Sequence, residues 1–81
     1  MENNEDKNTI KSAVGFVLKG FGENTDFHGY DFLKACRRRL KEKGYVGRPY
    51  DETLLREFRR QKPLHKIYCV DTKKSIYHKG V

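Results

Sequence analysis

The sequence predicts a small α+β domain, three helices followed by a C-terminal β-hairpin. Three observations carry this. A stripe of apolar residues at helical spacing opens the chain after a short polar stretch. Two further segments follow, each with an acidic residue in its first turn and a glycine or proline at its end. After Pro63 the pattern changes to two short runs of β-branched and aromatic residues around a polar turn. A length of 81 residues has room for a single domain. Hydrophobic and charged residues each make up 36% of the chain, so the core is small; five Tyr and five Phe are too many for a disordered polyelectrolyte.

Residues 1–7 hold no apolar side chain after Met1 and are expected to form a disordered tail, leaving one domain over residues 8–81. Asn8 or Thr9 can cap the first helix. Ile10, Ala13, Val14, Val17, Leu18 and Phe21 then form one continuous stripe, ended by Gly20 and Gly22, so the helix runs from about Thr9 to Lys19. Phe16 falls off the stripe and either flanks the core or meets a partner. A short extended piece is expected at Thr25–His28, with Phe27 turned inward.

The second helix starts near Gly29 or Tyr30, with Asp31 favoured in its first turn by the helix dipole. Tyr30, Leu33, Cys36 and Leu40 supply its apolar face and Phe32 flanks that face. Gly44 suits the left-handed position after the helix end. Tyr45 to Pro49 reads as a connecting turn, because Pro49 excludes Arg48 from helical geometry. Asp51 can cap a third helix whose core residues are Leu54, Leu55 and Phe58 and which Pro63 stops near Gln61. Thr53, Arg56 and Arg60 occupy its opposite side. A hairpin closed over Asp71-Thr72-Lys73-Lys74 pairs Val70 with Ser75, Cys69 with Ile76 and Tyr68 with Tyr77. Ile67, Cys69 and Ile76 are the preferred core-facing set.

Charge is distributed unevenly. Residues 1–26 carry three basic and five acidic side chains, whereas residues 27–81 carry fifteen and six. That asymmetry points to a polyanionic partner for the C-terminal two thirds; a solvated lysine-rich face is the plain alternative. Cys36 and Cys69 lie in unrelated local patterns and read as reduced, buried small residues.

Phe27-His28-Gly29-Tyr30-Asp31-Phe32-Leu33 enters the second helix and Arg48-Pro49-Tyr50-Asp51-Glu52-Thr53-Leu54-Leu55-Arg56 enters the third. With the hairpin Tyr68–Tyr77, this order of elements resembles the winged helix-turn-helix superfamily of DNA-binding domains. The resemblance covers about residues 9–79. Its departure is the connection from Gly44 to Pro49, longer than the three or four residues of a tight helix-turn-helix. The resemblance implies that the third helix enters the major groove and the hairpin acts as a wing. Thr53, Arg56 and Arg60 would then read bases, with arginine able to donate bidentately to guanine. Arg38, Arg48, Arg59, Lys62, Lys73 and Lys74 would contact phosphates, the last two from the wing tip. Arg56 and Arg60 have a plainer role available in pairing with Glu52 and Glu57. Arg37 and Arg39 read as structural or solvated.

The expected function is therefore a non-enzymatic double-stranded DNA-binding module, a small transcriptional or replication regulator. RNA binding and a protein-interaction adaptor are the alternatives. No nucleophile setting, phosphate loop or zinc-type spacing of His and Cys occurs, so catalysis, cofactors and metal are not expected. No membrane span, signal segment or small-molecule effector site is evident, and an intracellular, cytoplasmic and nucleoid-associated protein is the expectation. Tyr68 and Tyr77 read as a cross-strand pair before they read as a platform for unstacked bases. A single module covers about half of a typical operator, which suggests weak homodimerisation through the first helix and Phe16.

Overall fold

A computed structural model describes residues 9–80. The tail expected over residues 1–7, and Asn8 as an alternative cap, lie outside the described residues. The elements are α1 (Ile10–Gly20), β1 (Thr25–His28), α2 (Gly29–Glu42), α3 (Asp51–Gln61), a 3-10 turn (Lys62–His65), β2 (Ile67–Asp71) and β3 (Ile76–Lys79). The fold is α+β, with three helices and an antiparallel sheet of order β1-β3-β2. Among the described residues, no helix is long and apolar enough to cross a membrane.

Thr9 caps α1 by accepting a hydrogen bond from the Ser12 amide. The end of α2 closes through two hydrogen bonds, Tyr45 N–H to Leu40 O at 2.9 Å and Gly44 N–H to Lys41 O at 3.1 Å. Gly44 has the positive φ, 79°, that this closure requires. Asp51 is the first residue of α3 rather than its cap, which is Tyr50. Its carboxylate instead pairs with Arg37 of α2 at 2.6 Å, and the same guanidinium donates to Pro49 O at 2.8 Å. Arg37 thus fixes the start of α3 against α2.

The face of α2 differs from expectation. Phe32 is fully buried at 0% exposure, whereas Tyr30 is 69% exposed. The helix begins at Gly29 and buries Gly29, Phe32, Cys36 and Leu40; Cys36 and Leu40 are buried as expected, Leu33 is half-buried, and Phe32 takes the place expected of Tyr30. The reason is aromatic packing. Phe32 meets Phe58 of α3 at 4.5 Å between ring centroids, and Phe58 meets Tyr77 at 4.8 Å edge to face. Leu55 lies at the core margin beside Leu54 and Phe58.

The hairpin register also differs. Tyr68 pairs with His78 and Cys69 with Tyr77, and a bulge at Val70 brings Asp71 opposite Ile76. The turn spans Thr72 to Ser75, with Ser75 in the left-handed region at φ 53°. A one-residue slip moves a side chain to the other face of a strand. Tyr77, not Ile76, consequently packs on the core with Ile67, half-buried Cys69 lies opposite Tyr77, and Tyr68 points out beside His78. Tyr68 and Tyr77 therefore form neither a cross-strand pair nor a shared platform. The third strand of the sheet is the short piece at Thr25–His28, which pairs with β3 and turns Phe27 into the core.

Lys79 of β3 is 7% exposed. Its ammonium donates to Leu18 O at 2.7 Å, Lys19 O at 3.1 Å and Phe21 O at 2.8 Å. The last turn of a helix leaves carbonyls without partners, and a cation there is favoured by the dipole. Lys79 meets both needs with all three of its protons. The next residue, Gly80, has φ 119°, and a Cβ there would lie 2.8 Å from Asn24 N, so only glycine fits.

Replacing Lys79 by Met should destabilise the fold by about 2–4 kcal/mol in urea unfolding, since it strands three carbonyls at a buried helix end. An effect below about 0.5 kcal/mol would mean that water replaces the ammonium freely. The two thiols provide a second check. Burial pushes the Cys36 thiol up to about 12, against a smaller opposing effect of Arg37, while Cys69 is half-buried. Alkylation at mildly alkaline pH should modify Cys69 first and Cys36 only after unfolding.

Candidate nucleic-acid interface

Helix α3 is anchored on one side by Leu54, Phe58 and Gln61, all buried. At 100° per residue, the cations of the helix then separate into three directions. Arg56 points outward, exposed, and its side chain has no hydrogen bond or ion pair among the described residues. Arg59 follows the flank of Leu55, towards the hairpin. Thr53 and Arg60 share the flank of Glu57, towards α1.

On the α1 flank, Arg60 donates to both carboxylate oxygens of Glu57, at 3.4 and 3.1 Å. Gln61 Nε2 reaches the same carboxylate at 2.7 Å and the Lys11 carbonyl at 3.0 Å. Burial alone would raise the Glu57 pKa. Hydrogen bonds from Gln61 and Arg60, with the charges of Arg60 and Lys11, outweigh burial and hold the carboxyl below its ordinary range. Arg60 is therefore partly neutralised, in the pairing that the plainer reading of the sequence offered.

On the other flank, Arg59 and Lys62 border a hollow of about 350 Å³ that the hairpin turn closes with Lys74 and Ser75. His28 at the end of β1 and the first residues of α2, Gly29 and Tyr30, form its third wall, and Gly29 N–H donates to Ser75 O at 2.9 Å across the junction. Asp71 shapes the turn by accepting from the amides of Lys73 and Lys74 at 3.0 and 3.2 Å. Lys62 Nζ stands 5.8 Å from the Phe58 ring centroid and 5.7 Å from that of Tyr77.

The structure thus brings Arg59, Lys62 and Lys74 to one place, with Lys73 beside them in the turn and Arg56 on the adjoining outer face of α3. Arg38 lies elsewhere, over a groove between α1 and α2 with Phe16 and Ala35. There Arg39 stacks on Phe16, its guanidinium 3.5 Å from the ring centroid. Arg48 lies in the α2–α3 connection, beside Arg37 and Pro49. Sequence reasoning missed His28 and Tyr30 as wall residues of the hollow. The available signal was Tyr30 and Lys34, four residues apart on α2, whose ring and ammonium lie 5.6 Å apart.

Among the described residues, no group of three or more His, Cys, Asp or Glu is placed to hold a metal ion. Comparisons with family models, curated proteins and solved structures give no match.

The Glu57 contacts carry a pH signature. A carboxyl held below its unfolded pKa stabilises the fold above that pKa and loses this contribution as pH falls through the folded value. Between about pH 5 and pH 3 the denaturation midpoint of the wild type should drop more steeply than that of Glu57→Gln. Parallel midpoint curves for the two proteins would show that Glu57 is not coupled to folding.

Proposed function

We propose that this chain is a non-enzymatic double-stranded DNA-binding module of the winged-helix type, a small transcriptional or replication regulator. In this reading α3 enters the major groove and the β2–β3 hairpin lies on the backbone or in the adjacent minor groove. One observation carries it. Arg59 from the last turn of α3, Lys62 just beyond its end, and Lys74 from the hairpin turn border one concave face on a scaffold in which helix and hairpin are packed on the same aromatic core. A rod of regularly spaced phosphates matches cations presented by a helix and a neighbouring turn.

Arg56 is the first candidate for base readout, since its five donors are exposed and uncommitted among the described residues. Thr53 and Arg60 lie on the next flank, and Arg60 would have to exchange Glu57 for a base. Arg59, Lys62, Lys73 and Lys74 position the duplex through phosphates. Arg48, and Arg38 over the α1–α2 groove, would touch only a longer or bent site. Two copies meeting through α1 would bring Lys11, Lys19 and Arg39 of each copy around Phe16, so like charge keeps self-association weak.

An adaptor role has one specific observation in its favour. A groove of about 550 Å³ between α1 and α3 is lined by exposed Phe16 and Leu64. RNA binding through the cationic face is distinguished by competition.

With Arg59, Lys62, Lys73 and Lys74 on phosphates, log K against log salt should fall with a slope of about −3 to −4 for duplex DNA. Arg56→Ala should abolish sequence preference, whereas Lys74→Ala should weaken all sequences alike and flatten the slope by about one. Affinity independent of salt, or tighter binding of duplex RNA or single strands, overturns the proposal.

A further inference from the structure

The hollow beside α3 is not built for phosphate alone. Its rim carries Arg59, Lys62 and Lys74, and among the described residues no acidic side chain lines it. Its floor is apolar, formed by Leu33, Leu55 and Phe58 with the ring of Tyr77. Tyr30 stands in its wall at 69% exposure, and the Lys34 ammonium lies 5.6 Å from its ring centroid. A backbone phosphate is satisfied by the cations and gains nothing from an apolar floor, from which it would lose hydration. A base with no phosphate would leave the three cations unused. The ligand that answers both halves of the lining is a nucleotide, with anion and flat apolar ring held together. The volume, about 350 Å³, falls within the roughly 300–1,000 Å³ of small-ligand sites.

In a continuous duplex the bases are stacked inside the helix and a strand offers this hollow only sugar and phosphate. We infer that the hollow between α2, α3 and the hairpin turn captures one unpaired nucleotide, stacking its base on Tyr30 while Arg59, Lys62 and Lys74 hold the flanking phosphates. The inference rests on the DNA-binding reading and deepens it, because it makes a helix with an extruded or unpaired nucleotide the preferred ligand.

Its walls are set before a ligand arrives. Gly29 N–H to Ser75 O ties the start of α2 to the turn at 2.9 Å, and Asp71 braces that turn from below through two amides. The rings of Phe58 and Tyr77 hold the Lys62 ammonium over the floor. A base entering along Tyr30 therefore meets a prearranged cation, so little ordering accompanies binding.

The test compares three duplexes of one sequence, titrated into the intact protein by fluorescence anisotropy. One is fully paired, one carries a single extra unpaired thymidine, and one carries an unpaired abasic residue at that point. The thymidine bulge should bind about fivefold to a hundredfold more tightly than the paired duplex, the span of one base–aromatic stack. The abasic bulge should lose that advantage. Tyr30→Ala should remove the preference, so that paired and bulged duplexes bind alike, and Tyr30→Phe should retain it. The circular dichroism of both variants should match wild type, as expected for an exposed ring. Equal affinity for paired and bulged duplexes overturns this inference while leaving the DNA-binding reading in place. A preference kept by the abasic bulge, or by Tyr30→Ala, overturns it as well, since flexible DNA would then suffice. Failure to bind any of the three overturns both readings.

Discussion

The fold depends on one ammonium group. Lys79 carries it from the central strand of the sheet to three carbonyls at the close of α1, joining the far ends of the described chain. The sheet cannot shift along α1 without stranding those carbonyls, and β1 cannot leave β3 without moving Lys79. Thr25 lies opposite Lys79 on one side of β3 and Ile67 on the other, so the same residue sits at the end of both ladders. Phe21 accepts from Lys79 through its carbonyl, while its ring stacks on Phe27 at 4.1 Å. Electrostatic capping and aromatic packing meet at this corner and position α1 against the sheet.

From that corner the placement of α3 follows. Its start is tied to α2 through Arg37, and its last residue, Gln61, is tied to the Lys11 carbonyl of α1. Phe58 fills the space between Phe32, Phe27 and Tyr77. Two ties and one ring settle which face of the helix is turned away from the core. The exposed cations of α3 are few, and their arrangement matters more than their number. Glu57 offsets Arg60 on one flank, so the positive field leans towards Arg59, Lys62 and the hairpin turn. Net charge measured on the whole chain hides this bias.

Much of the helical part was legible because its signals are local. The stripe of α1, the Thr9 cap, Gly44 and Pro63 all act within a few residues, and the structure places those boundaries within one or two residues of the expectation. The hairpin was legible as an element but not in register, since the bulge at Val70 and the left-handed Ser75 carry no glycine or asparagine to announce them. The exchange of Tyr30 for Phe32 depended on contacts with Phe58 that no window of sequence contains. Pairing of β1 with β3 is nonlocal in the same way. Lys79, in a polar segment near the chain end, looks like a solvated lysine until the fold brings α1 over it. At the site, the cations Arg59, Lys62 and Lys74 could be named from the order of elements. Their closure around one hollow, and the presence of Tyr30 in its wall, could not.

The meeting of α1 and α3 reaches beyond this one sequence. Gly15 lies where a methyl group would come within 3.2 Å of Gln61 Oε1, and that amide is already committed to Lys11 and Glu57. Variation at position 15 is therefore not independent of variation at position 61. A lineage that gained bulk at the first site would have to shorten or rotate the second, and with it release Glu57 and Arg60. Divergence in the helix pair would in this way retune the charge on the outer surface without a single surface residue being replaced.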